Sequence, residues 1–364
     1  MPLTLYVDGS RWRGHLDQVR ADHPGIVPVV KGNGYGFGLR RLAEQSARLC
    51  VDTVAVGMYG EVATVAGGPD ASGGPFHGSV MVLSPWRPFE PRAVLAPHVV
   101  HTIGRLEDLQ ALAERGAGTA DRPRVVLERL TSMRRHGFSA RDLRRAAELV
   151  DAVHVEGVAV HLPMASTGST PRSAGSHLTE VNRLMTDVVA AGLPSRRVYV
   201  SHLTEDELLA LRGAYPDYEF RPRVGTGLWL GDRDALRVRA TVLDVHPVER
   251  GDVFGYRSRT APAAGSILVV SGGTSHGIGL EAPTGGATLK DRAARIAKGG
   301  LDAAGWVRSP YTIDGKLRLF AEPPHMQASL LFLSSGARVP EVGDEVPVRV
   351  RFTATTFDET VVSG

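Results

Sequence analysis

Cysteine is all but missing from this chain: Cys50 is the only one in 364 residues. That excludes an intrachain disulfide framework and any zinc site built on cysteines. Charge of one sign is also missing, since 42 lysines and arginines stand against 39 acids, a formal balance of +3. No basic run interleaved with aromatics occurs, which argues against nucleic acid as a partner. No stretch approaches the ~18 apolar residues of a membrane-spanning helix, so no membrane association is expected. The opening Met1-Pro2-Leu3-Thr4-Leu5-Tyr6-Val7-Asp8 has no basic segment leading into an apolar export signal. With so little cysteine, the expectation is a soluble protein of the reducing cytoplasm. Low-complexity tracts and repeats of 20 to 50 residues are absent as well.

What the chain does have is alternation. Short Val-rich segments at residues 27–31, 53–58, 80–84, 99–103, 124–130, 157–162, 197–202 and 219–225 read as strands. Between them, residues 39–50, 106–115, 140–150, 178–191 and 205–212 return apolar side chains at three- and four-residue spacing, the period of a helix. Ser139 and Thr204 stand where helix N-caps belong, Thr204 with Glu207 as a capping box. Eight strand–helix units predict a closed (β/α)8 TIM-type barrel. After Gly231 the pattern changes to alternating or apolar runs at 238–246, 266–271, 316–321, 329–333 and 345–353, separated by Gly, Pro and Asp. This predicts an α/β barrel over residues 1–232 and a mostly-β domain over 233–364. Residues 288–298 suggest a helical or irregular insertion, and 299–308 a loop.

The most informative stretch is Val27-Pro28-Val29-Val30-Lys31-Gly32-Asn33-Gly34-Tyr35-Gly36-Phe37-Gly38. A lysine at the rim of a buried strand loses hydration and becomes a usable nucleophile, as Schiff-base chemistry with an aldehyde requires. A lone lysine in such a place is more often a cap reaching into water. Here the glycines that follow let backbone amides approach a ligand, beside the polar tips of Asn33 and Tyr35. This Lys-x-Asn-x-Tyr-Gly-x-Gly segment resembles the cofactor-lysine motif of the alanine racemase family, the fold type III pyridoxal phosphate enzymes. In that family a histidine normally stands where this chain has Phe37.

In a parallel barrel, reactive groups lie just past the carboxyl ends of the strands. Those ends carry Lys31, then Met133-Arg134-Arg135-His136-Gly137, His161, Ser201-His202-Leu203-Thr204, and Arg223-Val224-Gly225-Thr226-Gly227. Pyridoxal 5'-phosphate needs an amine for its aldehyde, backbone amides and hydroxyls for its phosphate, a flat partner for its ring and a group facing its pyridine nitrogen. Lys31 suits the first. Gly225, Thr226 and a hydroxyl from Ser201 or Thr204 suit the second, with Tyr35 reaching the same phosphate, and His161 suits the ring. Arg223 suits the nitrogen, because a guanidinium keeps a facing pyridine unprotonated. The resemblance implies the same role for Arg223, and implies that Arg135 contacts the substrate carboxylate. It places Glu128 where many family members carry a carbamylated lysine, and suggests that this glutamate orients Arg135.

The resemblance weakens in the second domain. Racemisation needs a base on each face of the reacting carbon. The family takes its second base from a tyrosine in a Gly-Tyr-x-Asp-Gly segment of the partner subunit. The corresponding stretch here, Gly272-Gly273-Thr274-Ser275-His276-Gly277, has no tyrosine, and His276 is the candidate replacement. A structural loop histidine is the competing account of His276. Pro324-His325-Met326-Gln327 resembles the family segment whose methionine amide meets the substrate carboxylate, which makes Met326 the second carboxylate contact. The resemblance implies a head-to-tail homodimer acting on a small amino acid such as alanine, by α-proton transfer through a Lys31 Schiff base. If His276 cannot serve, one-faced chemistry such as decarboxylation, aldol cleavage or elimination is the alternative, or a non-catalytic homologue that binds the cofactor. No His/Cys pair with metal-ligand spacing points to a metal. A hydrolase without cofactor would need paired carboxylates at strand ends, and only Glu128 qualifies.

Overall fold

A computed structural model describes residues 2–67, 74–118, 121–164, 177–280 and 307–364. The chain divides into two compact units, Gly14–Gly231 and Met1–Arg13 with Asp232–Gly364.

The larger unit is the barrel. Its strands are Val27–Pro28, Thr53–Val56, Ser79–Val82, Val99–Ile103, Arg124–Arg129, His154–His161, Arg197–Ser201 and Glu219–Val224, all paired in parallel and in chain order. Val27 pairs with Arg223 at one seam, and a bridge from Val29 to Ala55 closes the other. All eight expected strands are present. The first is shorter than the apolar run suggests because Pro28 has no N–H to give to a ladder. One residue from nearly every strand points inward: Val27, Val29, Ala55, Met81, Val100, Val126, Ala159 and Tyr199 form a dry core. At one end Arg221, 3% exposed, lies 5.7 Å from the Tyr199 ring centroid and pairs with Asp52. The polar groups discussed below leave the core at the other end.

The second unit is a β structure. One sheet runs in the order Arg308–Ile313, Lys316–Phe320, Ala328–Ser334, Gly265–Ser271, Leu236–Val248, Leu3–Asp8 and Glu359–Ser363, with Glu345–Pro347 also pairing to Leu236–Val248. The first thirteen residues therefore belong with the C-terminal unit, whereas the sequence reading assigned them to the barrel. Leu3, Leu5 and Val7 alternate inward, and their strand is sandwiched between Leu236–Val248, antiparallel, and Glu359–Ser363, parallel. A six-residue alternation carries no mark of which distant strand it will join. At the C-terminal end of the barrel the division falls between Gly231 and Asp232, one residue from the expected boundary. The expected insertion at 288–298 and most of the loop at 299–308 lie outside the described residues. Among the described residues, no helix is long and apolar enough to cross a membrane.

Candidate active site

The stretch around Lys31 is built by glycine geometry. After the first strand the chain turns through Gly34–Gly36, where Tyr35 itself adopts a left-handed φ of 54°. That conformation is rare for a residue with a side chain. It directs the buried Tyr35 phenol across to the last strand exit, where a Cβ built on Gly225 would stand 2.2 Å from the phenol oxygen. Gly225 is therefore glycine because Tyr35 fills the space a side chain would need. Burial, then the charge of Glu61, pushes the Tyr35 hydroxyl up to about 12, so it remains a hydrogen-bond donor at neutral pH.

Lys31 stands exposed at the rim. Its amine is nonetheless enclosed enough to lose hydration, which lowers its pKa, and Arg135 and Arg223 push the same way against the opposing charge of Glu61. This is the direction that frees a lysine amine for chemistry.

Arg223 is 6% exposed, and its Nε and Nη2 have no hydrogen-bond partner among the described residues. Burial, chiefly, depresses its pKa, while Glu128 opposes that shift. A guanidinium does not lose its proton under these conditions. It is thus a buried donor pair in need of an acceptor, and unmet buried donors are rare in folded proteins. An unprotonated pyridine nitrogen is such an acceptor. The residues present fit pyridoxal phosphate on this ground.

His161 ends the sixth strand, with Nδ1 2.8 Å from the Ser201 hydroxyl and its carbonyl accepting the Thr131 hydroxyl at 2.7 Å. Loss of hydration, followed by Arg223, Arg135, His202 and Lys31, lowers its pKa to about 3. The ring is a neutral, fixed plane at pH 7. His202 packs edge-on against it at 5.3 Å and holds a left-handed φ of 62° as the chain leaves its strand.

Thr204 caps the helix Glu205–Ala214 as its sequence predicts, with its hydroxyl accepting the Glu207 N–H at 3.2 Å and the Glu207 carboxylate accepting the Thr204 N–H at 2.9 Å. Ser201 is buried beside His161, while the exposed Thr226 opens the short helix Thr226–Leu230. Arg135 is exposed, within electrostatic reach of Lys31, His161 and Arg223. Glu128, which the sequence reading paired with Arg135, instead lies 3.2 Å from His136 Nε2 among the described residues, and lends its charge to Arg223.

Two residues of this rim were missed by the sequence reading. His202 was noted only as a strand end. Glu61 accepts the backbone N–H groups of Gly32 at 2.8 Å, Gly57 at 2.6 Å and Met58 at 3.2 Å, tying the loop after Lys31 to the exit of the next strand. Its only sequence signal was the three-residue spacing from Met58 at a strand end.

His276 and Met326 belong to the C-terminal unit. His276 is 8% exposed; its Nε2 lies 3.1 Å from both Asp358 oxygens and its Nδ1 accepts the Gly273 N–H at 3.2 Å. Both ring nitrogens are thereby engaged in holding the turn. Met326 is 73% exposed, and its carbonyl accepts the Ser275 N–H at 3.0 Å, so the turn that carries His276 is tied to the backbone at Met326.

A family model described as alanine racemase, N-terminal domain, matches residues 7–229. The alanine racemase of Nitratidesulfovibrio vulgaris is 27% identical over 279 residues, 72% of each chain. Among solved structures, a histidine racemase from Leuconostoc mesenteroides superposes with a TM-score of 0.68 at 19% identity, covering 100% of this chain and 98% of that one. An alanine racemase from Bartonella henselae with covalently bound pyridoxal phosphate also superposes at 0.68, with 15% identity and 100% of both chains covered. At such identities the structural likeness establishes the barrel-plus-β fold. The family match spans more than half of the sequence and runs through every strand exit described above, which makes this chain a member of the alanine racemase family.

Proposed function

We propose that the protein is a pyridoxal phosphate-dependent racemase of a small amino acid, alanine or a close relative. The observation that carries this reading is Arg223, a buried guanidinium with two nitrogens unpartnered among the described residues, at the same rim as a lysine of lowered pKa. Bound there, the cofactor withdraws electrons from the α-carbon of an amino acid and makes its α-hydrogen acidic. Lys31 holds the cofactor and moves a proton at the α-carbon on one face. Arg223 faces the pyridine nitrogen, and the neutral His161 lies along the ring. Tyr35, Ser201, Thr204, Gly225 and Thr226 are the phosphate-side groups, of which Thr204 already spends its hydroxyl on its helix. Arg135 takes the substrate carboxylate, together with the exposed Met326 of a second copy in a head-to-tail dimer.

A second reading is kept because 272–277 holds no tyrosine: one-faced chemistry at the α-carbon, or cofactor binding without turnover. Absorbance decides the cofactor. A band at about 420 nm that borohydride abolishes and Lys31→Ala lacks is the expected result; a protein that stays colourless on adding pyridoxal phosphate overturns the assignment. Alanine of either hand, incubated in deuterated water, then decides the reaction. Inversion supports racemisation, deuterium uptake without inversion supports one-faced chemistry, and no uptake supports binding alone.

A further inference from the structure

The C-terminal unit carries a second imidazole whose surroundings differ from those of His276. Glu322 is 2% exposed, and one of its oxygens lies 2.6 Å from His325 Nε2 while also accepting the Tyr256 N–H at 3.3 Å. The loop that brings Tyr256 there passes Gly255, with φ +72°, where a Cβ would stand 2.3 Å from the Glu322 carboxylate. The side chain of His325 keeps 26% of its surface exposed, and the Tyr256 ring lies tilted against it at 4.5 Å. A buried carboxylate on one ring nitrogen fixes the tautomer and leaves the other nitrogen, Nδ1, to work.

The position of this pair matters. The His325 carbonyl accepts the Thr274 N–H at 2.8 Å, and a Cβ on Gly273 would come within 2.2 Å of that oxygen. The turn that corresponds to the family's tyrosine segment is therefore laid directly on the backbone of His325 and Met326. His276, on the same turn, has both nitrogens committed.

We propose that His325, held by Glu322, is the acid–base group that one copy presents to the α-carbon in the barrel of another, on the face opposite Lys31. This rests on the racemase reading above. Lys31 Nζ takes the α-proton and becomes an ammonium. The protonated His325 gives its Nδ1 proton to the same carbon from the other face and becomes neutral, keeping Nε2–H on Glu322. One proton leaves the carbon and one arrives, and the two groups exchange with solvent or run in reverse to reset. Glu322 is a positioning residue.

The test uses holoenzyme with L- and D-alanine in deuterated water, following α-deuteration by NMR and inversion by chiral chromatography. In His325→Gln, inversion falls at least 100-fold, within the range for loss of a general acid–base, while one enantiomer still takes up deuterium at within about threefold of the original rate. Glu322→Gln slows inversion about tenfold with KM held within about twofold, and His276→Asn leaves the ratio of inversion to uptake unchanged. A His325→Gln enzyme that inverts normally, or a His276→Asn enzyme that exchanges without inverting, overturns the proposal. No exchange by the unmodified enzyme overturns the racemase reading instead, and this proposal with it. Mixing Lys31→Ala with His325→Gln subunits restores inversion only if His325 acts across copies, so no recovery also overturns it. A cofactor-free readout is carbethoxylation mapped by mass spectrometry. His325 reacts before His276 and slows several-fold in Glu322→Gln; equal reactivity in the two proteins refutes the pair.

Discussion

The Tyr35 phenol oxygen occupies the space where Gly225 would carry a side chain, 2.2 Å from a Cβ built there. This contact joins the loop after the first barrel strand to the loop after the last, across the barrel's closing seam. Gly225→Ala must push the phenol aside, and overpacking of this kind costs about 1–3 kcal/mol. The expected result is a lowered melting temperature and at least tenfold weaker pyridoxal phosphate binding, read by fluorescence titration. Unchanged affinity would detach Tyr35 from the cofactor.

Arg223 gives a prediction through linkage. A charged donor that gains an acceptor on binding contributes about 1.5–3 kcal/mol, or roughly 10- to 100-fold in affinity. Pyridoxal phosphate should raise the melting temperature of the unmodified protein in a concentration-dependent way. Arg223→Met should weaken binding by that factor and shrink the rise accordingly, which thermal scans at graded cofactor concentrations check.

His101 sets a pH dependence. It is fully buried in the fourth strand, with Nδ1 2.8 Å from the Tyr59 hydroxyl, and burial, then Arg115, lowers its pKa to about 4. The unfolded chain takes up a proton near pH 6.5 that the folded chain refuses until about pH 4. Stability is therefore complete above pH 6.5 and falls as pH drops through that window, by up to about 1.4 kcal/mol per unit. His161 acts in the same direction. Urea midpoints between pH 7 and 4.5 should fall less steeply in His101→Gln.

Glu61 is expected to hold Lys31 in place and in charge. Its carboxylate raises the Lys31 pKa against three influences that lower it. Glu61→Gln should move the Lys31 titration downward, measured by NMR of the reductively methylated, cofactor-free protein. It should also loosen the loop after Lys31, read as faster amide exchange at Gly32, because a neutral amide is a weaker acceptor for the three N–H groups.

The barrel was legible because most of its strands are short Val-rich runs and several of them lead into a chemically distinctive residue. His161, Ser201 and Arg223 are last or nearly last in their strands and Lys31 follows just beyond its own, and a parallel barrel gathers such ends on one rim whatever the loops do. Thr204 and Glu207 announced their helix by spacing alone, since a capping box is a local structure. The sequence by itself thus determined the eight-strand alternation, the change to β structure after Gly231 and which polar residues stand at the strand ends. Only the tertiary structure decided what depends on distant partners. Leu3–Asp8 left the barrel half because its two neighbours lie more than 200 residues away. Arg223 Nε and Nη2 became unsatisfied donors because no acceptor among the described residues reaches them. His276 and His325 look alike as letters in a loop. One is tied at both nitrogens to Gly273 and Asp358, and the other is held at one nitrogen by Glu322 with its second unpartnered among the described residues. Spacing can place an imidazole near a site, but its chemistry is set by which of its nitrogens the folded chain leaves open.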